Sequence, residues 1–386
     1  MSSPTSSTTY KLVHKEFLNG ANNKFFSCDM YSGYAVTATY NGTVQFYQKK
    51  TSGWTFTQKF TGLGTVETGS SLSMYKSTAV LVSQEDIAND RLTFFRCGND
   101  GNWKQTFTKT YPGGDSYGIG LHTVSMYGNK IVAGSGDSEE GNPVLLYYFK
   151  INKNGVPDEN PKTITVSSFS VTVGSGSETI SPRNIADVSM YGNNLVIGCP
   201  GSSSSDDGAA IIFNYDQGND TWTQDSEFKD TLRATGQQNY GSSVSMYGLN
   251  FSVGSPGEKK VYAYTITSSS DINQYIINAP AEAAGQAGLA SDYGYSVRMY
   301  STYLIVSDPV TELVQVLQFG PDKVFPKSGW FNWNPIWITY KNHPPGFHLT
   351  DVGNFGQCVA IYGQNALVTN SDAINNGQLF FYTRNT

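Results

Sequence analysis

Few residues of this chain have the type and spacing to do chemistry. Four histidines stand at His14, His122, His343 and His348. None lies in a His-Glu-x-x-His or Gly-x-Ser-x-Gly context, the spacings that pair a metal or a nucleophile with a base. Sialidase-type Asp boxes are missing as well, and nothing suggests the paired carboxylates of a glycosidase. The chain therefore reads as not an enzyme; a hydrolase would have to show turnover lost on mutating a loop carboxylate. The cysteines Cys28, Cys97, Cys199 and Cys358 have no Cys-x-x-Cys spacing and no nearby histidine, which argues against a metal site.

Carboxylates do gather, at Glu85-Asp86, at Asp137 with Glu139 and Glu140, at Asp206-Asp207, and at Asp308 with Glu312. A ring of carboxylates on one face would bind a cation or a basic partner; solvated loop tips are the plainer reading. No Asp-x-Asp-x-Asp-Gly spacing supports a metal, and no cofactor is expected. The second candidate is aromatic. Residues 320–347 hold Phe325, Trp330, Phe331, Trp333, Trp337 and Tyr340, interrupted by Pro326, Pro335, Pro344 and Pro345. Trp and Tyr offer large contact area with a polar handle, as binding surfaces require. The stretch reads equally as a partner or glycan platform and as a small core under a long loop. Trp54, Trp103 and Trp222 recur at matching places elsewhere, so Trp330 fits ordinary structure and Trp333 and Trp337 are the surplus. The candidate partner-binding residues are thus Trp330, Trp333, Trp337, Tyr340, Asp137, Glu139, Glu140, Asp206 and Asp207.

What positions these residues is a repeat. Thr-Val-Ser-Met-Tyr-Gly at 123–128, Asp-Val-Ser-Met-Tyr-Gly at 187–192 and Ser-Val-Ser-Met-Tyr-Gly at 243–248 are copies of one phrase. Looser copies end at Tyr31, Tyr75, Tyr300 and Tyr362, and the intervals between successive anchor tyrosines are 44, 52, 64, 56, 53 and 62 residues. Periods of this size mark an architecture whose units cannot bury their apolar faces alone. Within a unit the phrase alternates, Val244 and Met246 against Ser245 and Tyr247, which is a strand period. A tight reversal such as Gly192-Asn193 follows. Next come a Val/Ile/Leu-rich strand, a Gly/Pro break, an aromatic strand such as Leu145 to Phe149, and an edge strand such as Gly53 to Phe56.

Four antiparallel strands per unit describe a propeller blade. The expected fold is all-β, a single seven-bladed β-propeller over 1–386. Its blades fall near 18–60, 61–110, 111–167, 168–229, 230–279, 280–340 and 341–386, the last completed by 8–17. That completion rests on the two chain ends. Only four residues follow Tyr382, and Thr9 to Phe17 matches the edge strand Gly53 to Phe60, so the N-terminal strand is expected to close the ring. Aligned on the repeat, Cys28 shares a column with Leu72, Val124, Val188 and Val244, as a buried small hydrophobe would. Asp29 and Arg298 share one with Ser73, Ser125, Ser189, Ser245 and Ala360, where they would either line an axial channel or form a local structural ion pair with loop groups.

Tyr240-Gly241-Ser242-Ser243-Val244-Ser245-Met246 followed by Val253-Gly254-Ser255-Pro256, with Phe355-Gly356-Gln357-Cys358-Val359-Ala360 followed by Ala366-Leu367-Val368, resembles the FG-GAP repeats of integrin alpha-subunit propellers. The aromatic-Gly opening is kept in blades five to seven alone. The resemblance implies a seven-bladed propeller that binds partners through loops on one face. The family's Asp-rich calcium loop between the first two strands is replaced here by short turns such as Tyr191-Gly192-Asn193-Asn194, so its metal sites are not carried over.

Composition narrows the partners. A net charge of −6 with charged residues at 15% leaves no basic stripe for nucleic acid. No apolar run approaches the roughly 20 residues of a membrane span, and the Ser/Thr-rich start encodes no secretory signal. Sequons stand at Asn41, Asn219 and Asn250, the last at a strand start with poor access. The expectation is a non-enzymatic interaction or attachment module, or a structural component of a larger assembly such as a virion or cell-surface layer. Its partner would be a protein or a surface glycan, with an extracellular or virion-surface setting favoured over the cytosol. The alternative is a carbohydrate-binding propeller.

Overall fold

The computed structural model describes residues 10–17, 24–66, 71–86, 89–112, 121–135, 144–173, 176–201, 207–225, 233–268, 271–280, 291–318, 334–339, 355–371 and 377–384. Strand formation follows the alternation of the repeat. The first strands of the seven blades are Phe25–Tyr31, Leu72–Tyr75, Leu121–Tyr127, Asp187–Tyr191, Ser243–Tyr247, Val297–Tyr300 and Phe355–Tyr362. Each ends on its anchor tyrosine, reverses through a two-residue turn and pairs antiparallel with the next strand, as Tyr127 with Lys130 and Tyr191 with Asn194. The first residue of every turn has positive φ: Ser32 and Lys76 at 55°, Gly128 at 66°, Gly192 at 65°, Gly248 at 67°, Ser301 at 56° and Gly363 at 63°. Glycine dominates there because only it adopts that backbone without strain.

Two further antiparallel strands complete each blade, so that the chain folds as seven four-stranded sheets in a ring with almost no helix. In the seventh sheet the order is Tyr10–Phe17, Gln378–Arg384, Asn365–Asn370, Phe355–Tyr362, with Tyr10 opposite Arg384 and Phe17 opposite Gln378. The N-terminal strand thus closes the ring non-covalently. Two features lie outside the repeat pattern. A hairpin of Phe169–Val173 with Gly176–Ile180 sits between blades 3 and 4, and Arg233–Gln238 adds a strand to the third strand of blade 4.

The core lies between blades rather than within them. Seven clusters of buried side chains each straddle one blade junction, for example Val36, Phe46, Leu72, Phe95 and Trp103 between blades 1 and 2. The closing junction holds Cys28, Met30, Trp54, Cys358, Leu379 and Phe381. Fourth-strand tryptophans carry much of this packing. Trp103 stacks on Phe46 of the preceding blade at 4.1 Å, and Trp54 stacks on Phe381 of blade 7 at 4.8 Å. A blade alone would leave these faces in water, which is why the repeats need one another.

Candidate functional site: the axial channel and the two faces

The inner strands bring the repeat's polar column and its tyrosines to the axis. Ser73, Ser125, Ser189 and Ser245 each accept, on Oγ, the backbone N–H of the methionine in the following blade, at 3.0, 2.9, 2.9 and 2.8 Å. Asp29 does the same for Met74 at 2.6 Å through one carboxylate oxygen and accepts Met30 N–H through the other at 2.7 Å. That second bond has a reason: Ala360, the column's residue in blade 7, has no hydroxyl to offer Met30. The acid at position 29 therefore ties blade 1 to blade 2 and satisfies the N–H that blade 7 leaves unpaired. Burial pushes its carboxyl up to about 6, although the Met74 and Met30 N–H groups and the Arg298 guanidinium pull it down.

Arg298 breaks the column differently, being a donor where an acceptor is the rule. Its Nη1 lies 3.1 Å from Asp187 Oδ2, 3.4 Å from the Val244 carbonyl and 2.7 Å from the Val297 carbonyl. The ion pair with Asp187 reaches from blade 6 to blade 4, past blade 5. Burial alone would lower the guanidinium's pKa, but Asp187, Cys358 and Asp29 outweigh it and hold the charge. Both sequence alternatives for Asp29 and Arg298 thus hold in part. They line the channel, and Arg298 is in a structural ion pair whose partner is an inner-strand acid rather than a loop group. Asp187 was not singled out from the sequence. Its signal was there, since its column otherwise holds Ser27, Ser71, Thr123, Ser243, Ser296 and Cys358.

Below this layer the anchor tyrosines form a closed collar. Ring centroids lie 4.8 Å apart for Tyr31–Tyr75, 4.9 Å for Tyr75–Tyr127 and 4.6 Å for both Tyr127–Tyr191 and Tyr191–Tyr247. The circle finishes with Tyr247–Tyr300 at 5.1 Å, Tyr300–Tyr362 at 4.3 Å and Tyr362–Tyr31 at 4.6 Å. Tilted aromatic pairs at such distances attract beyond the area they bury. Partial burial raises the phenol pKa of Tyr75, Tyr127, Tyr247 and Tyr362, so these groups stay neutral donors. Collar, serines, Asp29 and Arg298 enclose a cavity of about 180 Å³. Ligand pockets usually run to about 300–1,000 Å³. With its polar groups engaged in joining blades, the cavity works as the hub of the ring.

The acidic candidates separate on inspection. Glu85 pairs with Arg91 and accepts the Thr110 hydroxyl at 2.6 Å, and these bonds lower its pKa. Asp308 is fully buried and accepts Ser291 Oγ–H at 2.6 Å and Asp292 N–H at 3.0 Å, a loop anchor rather than a loop tip. Asp137, Glu139, Glu140 and Asp206 lie outside the described residues, as do Trp330, Trp333 and Tyr340. Asp207 opens the third strand of blade 4, opposite Gln238, and Trp337 lies in the fourth strand of blade 6, opposite Gln315. The strand ends on either side of residues 136–143 and of residues 319–333 are on opposite faces. Ser135 and Val144 are on the face of the second-to-third connections, while Gln318 and Asn334 are on the face of the two-residue turns.

Among the described residues no three His, Cys, Asp or Glu side chains gather as a metal set, and no helix is long and apolar enough to cross a membrane. Of the sequons, Asn250 is buried and accepts the Thr265 hydroxyl at 2.6 Å, whereas Asn41 is exposed.

No family model matches the chain, and no curated protein matches it in sequence. Among solved structures it is similar to a functionally unknown protein from Desulfotomaculum acetoxidans DSM 771, with a TM-score of 0.51 and 11% identity over 76% of this chain and 78% of that one. At that identity the likeness is one of fold.

Proposed function

We propose that this chain is a non-enzymatic attachment module, a rigid propeller that holds a protein partner through the face opposite the tyrosine collar. The observation that carries the reading is the asymmetry of the two faces. On the collar face every first-to-second connection is a two-residue turn, and the third-to-fourth connections are of five residues or fewer apart from 151–161 and 319–333. The opposite face receives the fourth-to-first connections, including residues 61–71, 113–120 and 279–296, and the second-to-third connections such as 136–144 and 200–206. Recognition on a propeller belongs to such connections, held by a scaffold that the ring makes stiff. The channel supports the same reading, because its ionisable groups are engaged in joining blades. The FG-GAP resemblance is in keeping with partner binding through one face, on fold-level analogy. Exposed large apolar side chains among the described residues, Val13, Tyr40, Phe56, Leu249 and Ile276, are scattered singly and offer no rival patch.

The test replaces residues 113–120 and 136–143 by Gly-Ser sequences of equal length and measures retention of the partner from its native particle or surface. Retention lost with the melting temperature kept supports the reading; retention unchanged refutes it. A carbohydrate-binding propeller is the second reading, favoured by the Tyr-, Trp- and Asn-rich connections. Reproducible binding of the full chain to one glycan class on an array would decide for it.

A further inference from the structure

The junction between blades 7 and 1 is built unlike the others. At five of the other six junctions a serine hydroxyl or the Asp29 carboxylate ties one inner strand to the next, and at the sixth Arg298 fills the column, but here the column residue is Ala360, and Met30 N–H is taken by its own blade's Asp29. What remains is a sulfur contact. Cys28 N–H points at Cys358 Sγ at 3.2 Å, and the two Sγ atoms lie 3.1 Å apart. Both cysteines are free, and only 1% and 2% of their surface is exposed. They stand 330 positions apart in the chain yet face each other on adjacent inner strands. The ring is also closed here by the zipper of Tyr10–Phe17 on Gln378–Arg384 and by the apolar packing of Trp54 on Phe381.

We propose that Cys28 and Cys358 are a disulfide-forming pair, whose oxidation joins blade 1 to blade 7 covalently and locks the ring independently of the N-terminal strand. The chemistry is thiol–disulfide exchange with a small disulfide such as oxidised glutathione, once the inner strands of blades 7 and 1 have met and before the N-terminal strand docks. Cys358 is the attacking group. The hydrogen bond from Cys28 and the Arg298 guanidinium lower its pKa, whereas burial raises that of Cys28. The Cys358 thiolate attacks one glutathione sulfur and displaces the other glutathione as a thiolate. Cys28 then gives up its proton and attacks the mixed disulfide at Cys358, releasing the second glutathione. Two protein thiols are oxidised and one glutathione disulfide is reduced to two thiols. Such a bond suits a molecule that works in an oxidising compartment.

The experiment refolds the full chain in glutathione redox buffer and, separately, in dithiothreitol. Thiol titration and peptide mapping should find one Cys28–Cys358 cross-link with Cys97 and Cys199 still reduced. Because the bond closes a very long loop, the oxidised protein should melt higher by on the order of 5 °C. The double variant Cys28→Val/Cys358→Ser should lose this redox dependence while staying near the reduced protein's melting temperature, since valine and serine are the residues that most of the other blades carry in these two columns. Four free thiols after oxidative refolding, a cross-link to Cys97 or Cys199, or a Cys28–Cys358 bond with an unchanged melting temperature would each overturn the proposal. The mapping on the unaltered chain decides even if the double variant fails to fold.

Discussion

Substituting Asp29 by Asn should remove a defined part of the protein's pH dependence. The carboxylate accepts the N–H groups of Met30 and Met74 at 2.7 and 2.6 Å, in a channel where burial raises its pKa to about 6. In the unfolded chain an aspartate titrates near 4. The folded state therefore binds the proton more tightly, so this group's contribution favours the fold at low pH and is lost as pH rises through 6. Between pH 7.5 and pH 5 the linkage amounts to about 1 kcal/mol in favour of the acidic side. Asparagine keeps the shape and cannot titrate. Urea denaturation of both proteins at the two pH values gives a difference of differences, in which shared groups such as the surface carboxylates cancel. Wild type should gain about 1 kcal/mol relative to Asp29→Asn on going from pH 7.5 to pH 5. Parallel pH dependences, or a gain by the variant, would refute the burial argument.

Deleting residues 1–17 should open the seventh blade. It removes the strand opposite Gln378–Arg384 and the buried Tyr10, a loss of several hydrogen bonds at about 1 kcal/mol each plus an aromatic contact, so an unchanged melting temperature in reducing buffer would contradict the closure. Ser32→Gly, Lys76→Gly and Ser301→Gly should each stabilise by about 0.5–1 kcal/mol, because these residues adopt the positive φ that glycine takes at the same turn of the other blades; denaturant midpoints that fall instead would show that side-chain contacts outweigh the strain. Strong chelation should leave the melting temperature unchanged, since the first-to-second turns offer no set of carboxylates; a drop reversed by calcium and not by magnesium would show a site there.

The repeat made the ring legible because one physical requirement, burial of blade faces against each other, is imposed seven times and leaves its mark at fixed columns. Closure was legible from the edge strand missing after Tyr382 and its match at Tyr10 to Phe17. The Cys28–Cys358 contact was within reach by the same logic: closure makes blades 7 and 1 neighbours, and the two cysteines sit in adjacent columns. Arg298 with Asp187 was not, because the pair skips a blade and depends on how far a long side chain reaches across the channel. The tyrosines were visible as anchors, but their union into a collar needs the ring's curvature. Asp308 reads as a loop acid in the sequence, and its burial is not legible there because it depends on how Ser291 and Asp292 fold back over it. The hairpin at 169–180 and the added strand at 233–238 carry no repeat signal, and lie in connections where period and column alignment say nothing.

Cross-linking of the chain within its native particle or surface, read by mass spectrometry at exposed lysines, tests the attachment reading most directly. Lys259 stands on the face of the second-to-third connections, and Lys76 and Lys153 stand on the collar face; all three are exposed. The account predicts inter-chain cross-links at Lys259, with Lys76 and Lys153 modified only by dead-end reagent. Inter-chain cross-links at Lys76 and Lys153 with Lys259 free would place the partner on the collar face and contradict it.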